Sequence, residues 1–202
     1  MRFDYVFDGL RATSEPRDEV EQMLGALDAA LPAEVSVVGN AASLLALWHG
    51  AAIDRFPTVR FNAAQVVDAA AQGERWDFVA TSNAKVLGYY RQHEPQFHHL
   101  LFTPYLSTHV RDLTQIGSER PVLRLPVRMS RELSWRCLAR PTTGMQVLTL
   151  CERLKRRVHL FGFDWKATPT FNTKTTRDPH DHARERELAL AMVERNGWTV
   201  YR

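Results

Sequence analysis

The chain has 202 residues, 45% of them hydrophobic and 24% charged. That is enough for one α/β-sized domain to bury a core without disulfide or metal staples, and it excludes a disordered, collagen-like or membrane-embedded chain. The formal net charge is only +3 and rests on 22 arginines and four lysines, so a small anionic ligand fits better than nucleic acid, for which no dense basic block with interleaved aromatics is present. Met1 to Tyr5 carries no apolar run, and the longest nearly apolar stretch, Ala41 to Trp48, is far shorter than the ~20 residues of a membrane helix. A secretory signal and a transmembrane span are therefore not expected, and a cytoplasmic location is. Cys137 and Cys151 have no metal-like spacing and read as free thiols.

No repeat or flexible linker divides the chain, so one domain over residues 1–202 is expected. Phe3 to Phe7 reads as a strand. Glu15 to Ala30 reads as a helix, with Val20, Met23, Leu24 and Leu27 on one face. Val35 to Val38 is a strand that stops at Gly39-Asn40, and Ala41 to Trp48 reads as helical. Val59 to Phe61 is a strand ended by Asn62. Asp77 to Ala80 is a further strand, followed by a helix near Lys85 to Gln92. Phe97 to Phe102 and Val122 to Leu125 are lesser strand candidates. Thr143 to Leu154 is a helix, Val158 to Phe161 a buried strand, His180 to Arg195 a helix and Trp198 to Tyr201 a last strand. This alternation predicts an α/β fold, a single Rossmann-like domain with a mostly parallel sheet flanked by helices. Ligands bind such sheets beyond the carboxyl ends of the strands, so the loops after Val38, Phe61 and Phe161 matter most.

Three segments carry chemistry. In the first, Gly39 permits close backbone approach, Asn40 offers a donor and an acceptor, and the amides of the next helix attract an anion. Asn62 repeats the pattern at a second strand end. The same residues also suit an ordinary strand–turn–helix with Asn40 as a cap. In the second, Thr142, Thr143 and Gly144 open a helix, where hydroxyls, amides and the helix dipole form a neutral anion cradle. Either threonine also suits a simple N-cap. In the third, Asp178 can cap and Pro179 can begin a helix, which puts His180 in a first turn that disfavours imidazolium. A neutral imidazole is what a general base needs. The alternative is a solvated helix start laced with charge pairs such as Arg184 and Glu187.

Taken in order, these segments resemble the motifs of family-29 sialyltransferases. Val37-Val38-Gly39-Asn40, Ile53-Asp54 and Val59-Arg60-Phe61-Asn62 look like the long motif. Thr142-Thr143-Gly144 and Val158 to Phe163 are similar to the short motif. His180 and Glu185 resemble the very short motif, a His and a Glu separated by four residues. Family-42 sialyltransferases share a cousin of the first two patterns. The resemblance implies a sialyltransferase-type variant of the GT-A fold that uses a CMP-sugar donor and a glycan or glycolipid acceptor, with no cofactor and no metal. It implies that Asn40 and Asn62 hold the phosphate and ribose of CMP, with Gly39 and Asp54 beside them. It implies that Thr142, Thr143 and Gly144 contact the cytidine and donor sugar, and that His180 is the catalytic base, supported by Glu185. His182 and Glu187 have the same spacing. Glu185 lies over the apolar stripe Leu188, Ala189 and Met192, which predicts partial burial.

Departures from the family narrow the expectation. Lys155 stands where the animal enzymes place a disulfide cysteine. The His-Tyr-rich third motif is not found, since Trp165 to Arg177 holds no His and no Tyr. Lys166, Lys174 or Arg177 can replace its charge on the leaving phosphate. These features suit a bacterial-type enzyme, with peripheral contact at the inner membrane compatible. Sialic acid is the family's usual donor sugar, and CMP-Kdo is the alternative, as in polysaccharide or lipopolysaccharide synthesis. A non-catalytic nucleotide- or glycan-binding module is the reading outside enzymes. Acceptor and oligomeric state stay open.

Overall fold

The computed structural model describes residues 15–62, 65–82, 97–104, 121–170 and 179–202. The expected strand at Phe3 to Phe7 and the helix near Lys85 to Gln92 lie outside the described residues, as do Lys174, Arg177 and Asp178. Helix α1 (Arg17–Ala30) leads into β1 (Glu34–Val38). A 3-10 helix (Ala42–Ala46) and the short α2 (Gly50–Ile53) precede β2 (Thr58–Phe61). Then come α3 (Ala69–Gln72), β3 (Phe78–Thr81), β4 (His99–Phe102) and β5 (Val122–Arg124). Helices α4 (Val127–Cys137) and α5 (Thr143–Arg153), β6 (Arg157–Phe161), α6 (His182–Asn196) and β7 (Thr199–Val200) complete the order. Helices α2, α3 and α4 were not expected from the sequence. Met129, Leu133 and Cys137 give α4 an apolar stripe, but three arginines and two serines dilute it.

Seven parallel strands form one sheet in the order β5-β4-β3-β2-β1-β6-β7. Side chains alternate across it. Val35, Val37, Val59, Phe61, Val158 and Leu160 join the main core with α1, α4, α5 and α6. Val38 and Phe161 turn to the other face and pack on Leu44 and Ile53 of the short elements there. Burial on both faces explains why β1 and β6 read as almost unbroken apolar runs.

The polar side chains inside are well matched. Ser36 Oγ donates to the Ile53 carbonyl at 2.8 Å. Arg60, 2% exposed, donates to the carbonyls of Arg75, Gln72 and Gly73 at 2.7, 2.7 and 3.2 Å. Asp77 accepts from the Thr58 amide at 2.9 Å and from Arg75 through both carboxylate oxygens at 3.0 and 2.9 Å. Burial raises the Asp77 pKa, but the Arg75 hydrogen bonds, the Thr58 amide and the Arg75 charge together outweigh it and hold the carboxyl below its usual range. A depressed native pKa stabilises the fold above the unfolded value, and that stability is lost as pH falls through the native one. The Asp77→Asn variant is therefore expected to be less stable at neutral pH and to lose stability less steeply on acidification, in denaturant titrations from about pH 6 to about pH 2. An unchanged acid limb would remove Asp77 as its source.

Candidate active site

The sheet order reverses at β1. Strand β2 lies on one side of it and β6 on the other, so a crevice opens beyond the carboxyl ends of β1 and β6. Gly39 and Gly162 leave these two strands and meet there. The Gly39 amide donates to the Phe161 carbonyl at 2.7 Å. A Cβ on Gly39 would stand 2.3 Å from the Gly162 oxygen. Gly162 itself has φ +65°, a backbone that side chains rarely adopt.

Asn40 and Asn62 come together beside this crossing. Asn40 Nδ2 donates to the Phe61 carbonyl at 3.1 Å, which ties the end of β1 to the end of β2. Asn62 follows with φ 52°, a left-handed conformation that asparagine tolerates. Its Oδ1 accepts from Thr81 Oγ1 at 3.1 Å, and no bond to its Nδ2 occurs among the described residues. Asn62 thus keeps its donors, and Asn40 keeps its acceptor oxygen.

The 3-10 helix after Gly39-Asn40 is not the open anion site expected from the sequence. The expected helical segment takes the tighter 3-10 form over Ala42–Ala46, and its first amides are already used. Ala42 N donates to the Pro169 carbonyl at 2.9 Å, and Ser43 N to Thr168 Oγ1 at 3.1 Å. Asp164 organises this covering loop by accepting from Ser43 Oγ at 2.9 Å and Thr168 N at 3.0 Å. Lys166 lies exposed on the same loop with φ 69°.

The start of α5 differs. Thr142 caps it, its Oγ1 accepting from Met145 N at 3.1 Å. The amides of Thr143 and Gly144 have no partner among the described residues, so α5 presents two N–H donors at its positive end. The Phe163 ring joins this helix start to the strand crossing. Its atoms would lie 3.2 Å from a Cβ on Gly39 and 3.3 Å from one on Gly144.

Helix α6 closes the arrangement, with a correction. The helix begins at His182, and its N-cap is Asp181, which accepts from Arg184 N at 3.0 Å. His180 precedes the helix and does not lie in its first turn, so the dipole argument does not apply to it. Its environment comes from elsewhere in the fold. His180 Nδ1 lies 2.7 Å from the Arg140 carbonyl. A carbonyl only accepts, so in the neutral ring Nδ1 carries the proton and Nε2 the lone pair. Glu185, 2% exposed, accepts from Thr142 N at 2.7 Å and Thr142 Oγ1 at 2.8 Å. The partial burial expected for Glu185 is thus nearly complete. The single hydroxyl proton of Thr142 is committed to Glu185, so Thr142 can meet a ligand only as an acceptor.

The tertiary structure separates the two His–Glu pairs that spacing did not. Glu187 is exposed and paired with Arg184 at 2.7 Å, whereas Glu185 is buried against Thr142. The His182 ring lies 5.8 Å from that of His180. Asp54 is also corrected. It follows α2 and precedes β2, at the opposite end of the sheet from the crevice. There it accepts from the amides of Glu74 and Arg75 at 2.8 and 2.9 Å. The Ile53-Asp54 pair thus ends a helix and anchors the chain ahead of β3, a role that the motif alone does not reveal. Gly162 and Phe163, which the sequence places at the end of the short-motif segment without a role of their own, also shape the crevice, and so do Asp164 and Arg140, which it does not single out. A second glycine directly after a buried strand was the available signal for Gly162, whereas the Arg140 carbonyl carries none. Cys137 and Cys151 are buried free thiols, pushed up to about 12 chiefly by burial, which leaves them inert at neutral pH.

No protein-family model and no curated protein matches the chain. Solved structures do. A mammalian sialyltransferase superposes over 99% of this chain and 84% of its own, with TM-score 0.61 and 16% identity. The sialyltransferase CstII from Campylobacter jejuni, in complex with the substrate analogue CMP-3FNeuAc, covers 84% of this chain and 80% of its own, with TM-score 0.60 and 14% identity. CstII in complex with a trisaccharide acceptor and CMP covers 83% and 79%, with TM-score 0.59 and 17% identity. The chain shares the fold of these sialyltransferases.

Proposed function

We propose that this chain is a CMP-sugar-dependent glycosyltransferase that moves a sialic acid or related nonulosonate to a glycan hydroxyl, with inversion and without a metal. The observation that carries the reading is the His180 Nδ1–Arg140 carbonyl contact of 2.7 Å, which leaves Nε2 as a base in the neutral ring. In the proposed step the acceptor oxygen forms a bond to the anomeric carbon as the carbon–phosphate oxygen bond breaks. CMP leaves with the electron pair, and the acceptor proton passes to His180 Nε2. The Thr143 and Gly144 amides offset the phosphate charge, because fixed dipoles need no reorganisation during the step. Asn62 Nδ2 and Asn40 Oδ1 hold phosphate and ribose, and Gly39 lets the nucleotide approach the strand crossing. Lys166 is the described candidate for a cation near the leaving group. A transfer assay with CMP-sialic acid and CMP-Kdo side by side tests the donor. Binding of CMP with no transfer from either would favour a non-catalytic module.

Two glycine variants separate fold from ligand. Gly39→Ala drives a methyl into the Gly162 backbone and is expected to cost about 3 kcal/mol or more, as overpacking against backbone does. Gly144→Ala meets side chains and no distant backbone, the Phe163 ring at 3.3 Å and Thr142 Oγ1 at 3.8 Å, and is expected to leave the thermal midpoint nearly unchanged. It should still weaken CMP binding, measured by calorimetry, by crowding the donor amides. Unchanged CMP affinity in Gly144→Ala would remove this helix start from the nucleotide site.

A further inference from the structure

Helix α4 ends in a surface that the fold does not explain. Trp135 is 52% exposed and Leu138 66%, one helical turn apart on the outer face. Leu138 caps the helix with φ 53°, a left-handed position where glycine or asparagine is the usual choice. A leucine there adds backbone cost and gains no burial. Arg131 and Arg136 lie beside the pair and form no ion pair among the described residues, while Arg128 is balanced by Glu132 at 2.8 Å. The patch therefore joins two apolar side chains to uncompensated positive charge.

We propose that this end of α4 docks on the anionic headgroups of a membrane surface, with Trp135 and Leu138 entering the interfacial zone and Arg131 and Arg136 meeting lipid phosphate. Charge complementarity selects this occupant. Two apolar side chains among arginines are too few to core a protein interface, which buries about 800 Å² on each side. A Trp, with an apolar body and one N–H, suits the headgroup boundary. The patch also adjoins the candidate base. Arg184 of α6 donates to the Arg136 carbonyl at 3.2 Å, and the Arg140 carbonyl, just beyond Leu138, holds His180. Docking would present a lipid-borne acceptor to that base, a consequence that rests on the transferase reading; docking itself does not.

Flotation with vesicles of phosphatidylcholine alone, and of phosphatidylcholine mixed with phosphatidylglycerol, tests the proposal on the full chain. Binding is expected to the anionic vesicles and to weaken with salt. The double variant Trp135→Ser/Leu138→Ser should lose about tenfold or more in vesicle affinity, since both hydrophobic anchors are removed. Arg131→Gln/Arg136→Gln should lose the preference for anionic lipid. Trp48→Ser, which removes an exposed Trp elsewhere, should bind like the parent. Absence of binding, equal binding to both vesicle types, or equal losses in the Trp48 and Trp135/Leu138 variants would overturn the proposal. So would a Trp135/Leu138 variant that changes only sedimentation, which would mark a contact between copies. Calorimetry of CMP binding on the same proteins reports the transferase reading separately.

Discussion

His180→Ala is expected to lower the transfer rate by about 10²–10⁴-fold, the usual contribution of a positioned general base. CMP affinity should stay close to that of the parent, because the proposed nucleotide contacts lie on β1, β2 and α5. The physical reason is local. The Arg140 carbonyl accepts a hydrogen bond from Nδ1–H and so keeps the proton on Nδ1, which in the neutral ring puts the lone pair on Nε2. His180→Gln should lose the rate without destabilising the fold, since its amide can still donate to Arg140. It should also lose the acidic limb of the pH–rate profile, where protonation of a base slows the parent. Single-turnover transfer across pH, read beside CMP calorimetry, checks both. Parent-like rates in either variant would take the base role away from His180 and turn attention to His182, whose ring is 5.8 Å away.

The second large effect is expected at Glu185, as a positioning residue. Its carboxylate takes both donors of Thr142, the residue that caps α5. Glu185→Ala leaves the half-buried amide and hydroxyl of Thr142 without that acceptor and is expected to cost about 2–3 kcal/mol. Glu185→Gln keeps one acceptor oxygen for the Thr142 amide and should recover much of the stability. Its amide nitrogen cannot accept the hydroxyl proton, so the start of α5 should still shift. The expected signature is a raised KM for the CMP-sugar with a smaller change in kcat, which a purely structural residue would not give. A double-mutant cycle with Thr142→Val should show a coupling of about 1–2 kcal/mol, as contacting residues do. Additive effects would show that Glu185 acts through other partners.

Much of the architecture follows from local pattern. The apolar runs Val35 to Val38 and Val158 to Phe161 announce strands buried on both faces, and strand–helix alternation announces a parallel sheet. The Thr-Thr-Gly helix start is legible because capping is a local event, and Thr142 does cap. Helix α4 was missed because its buried stripe is interrupted by arginine and serine, and Ser130 is satisfied only by distant partners such as the Pro104 carbonyl. The helical reading of Ala41 to Trp48 holds over Ala42–Ala46, as a 3-10 helix whose first amides are bonded to Thr168 and Pro169.

Local pattern alone carries the strands, the glycine and asparagine at their ends, and the two evenly spaced His–Glu pairs. Which pair joins the crevice is set by long-range contacts, because the burial of Glu185 and the carbonyl of Arg140 come from segments about forty residues away. Strand pairing likewise puts Asp54 at the far end of the sheet. Motif order does not encode which end of a strand a loop occupies until the strands are paired, and hydrogen bonds between distant segments leave no trace in local spacing.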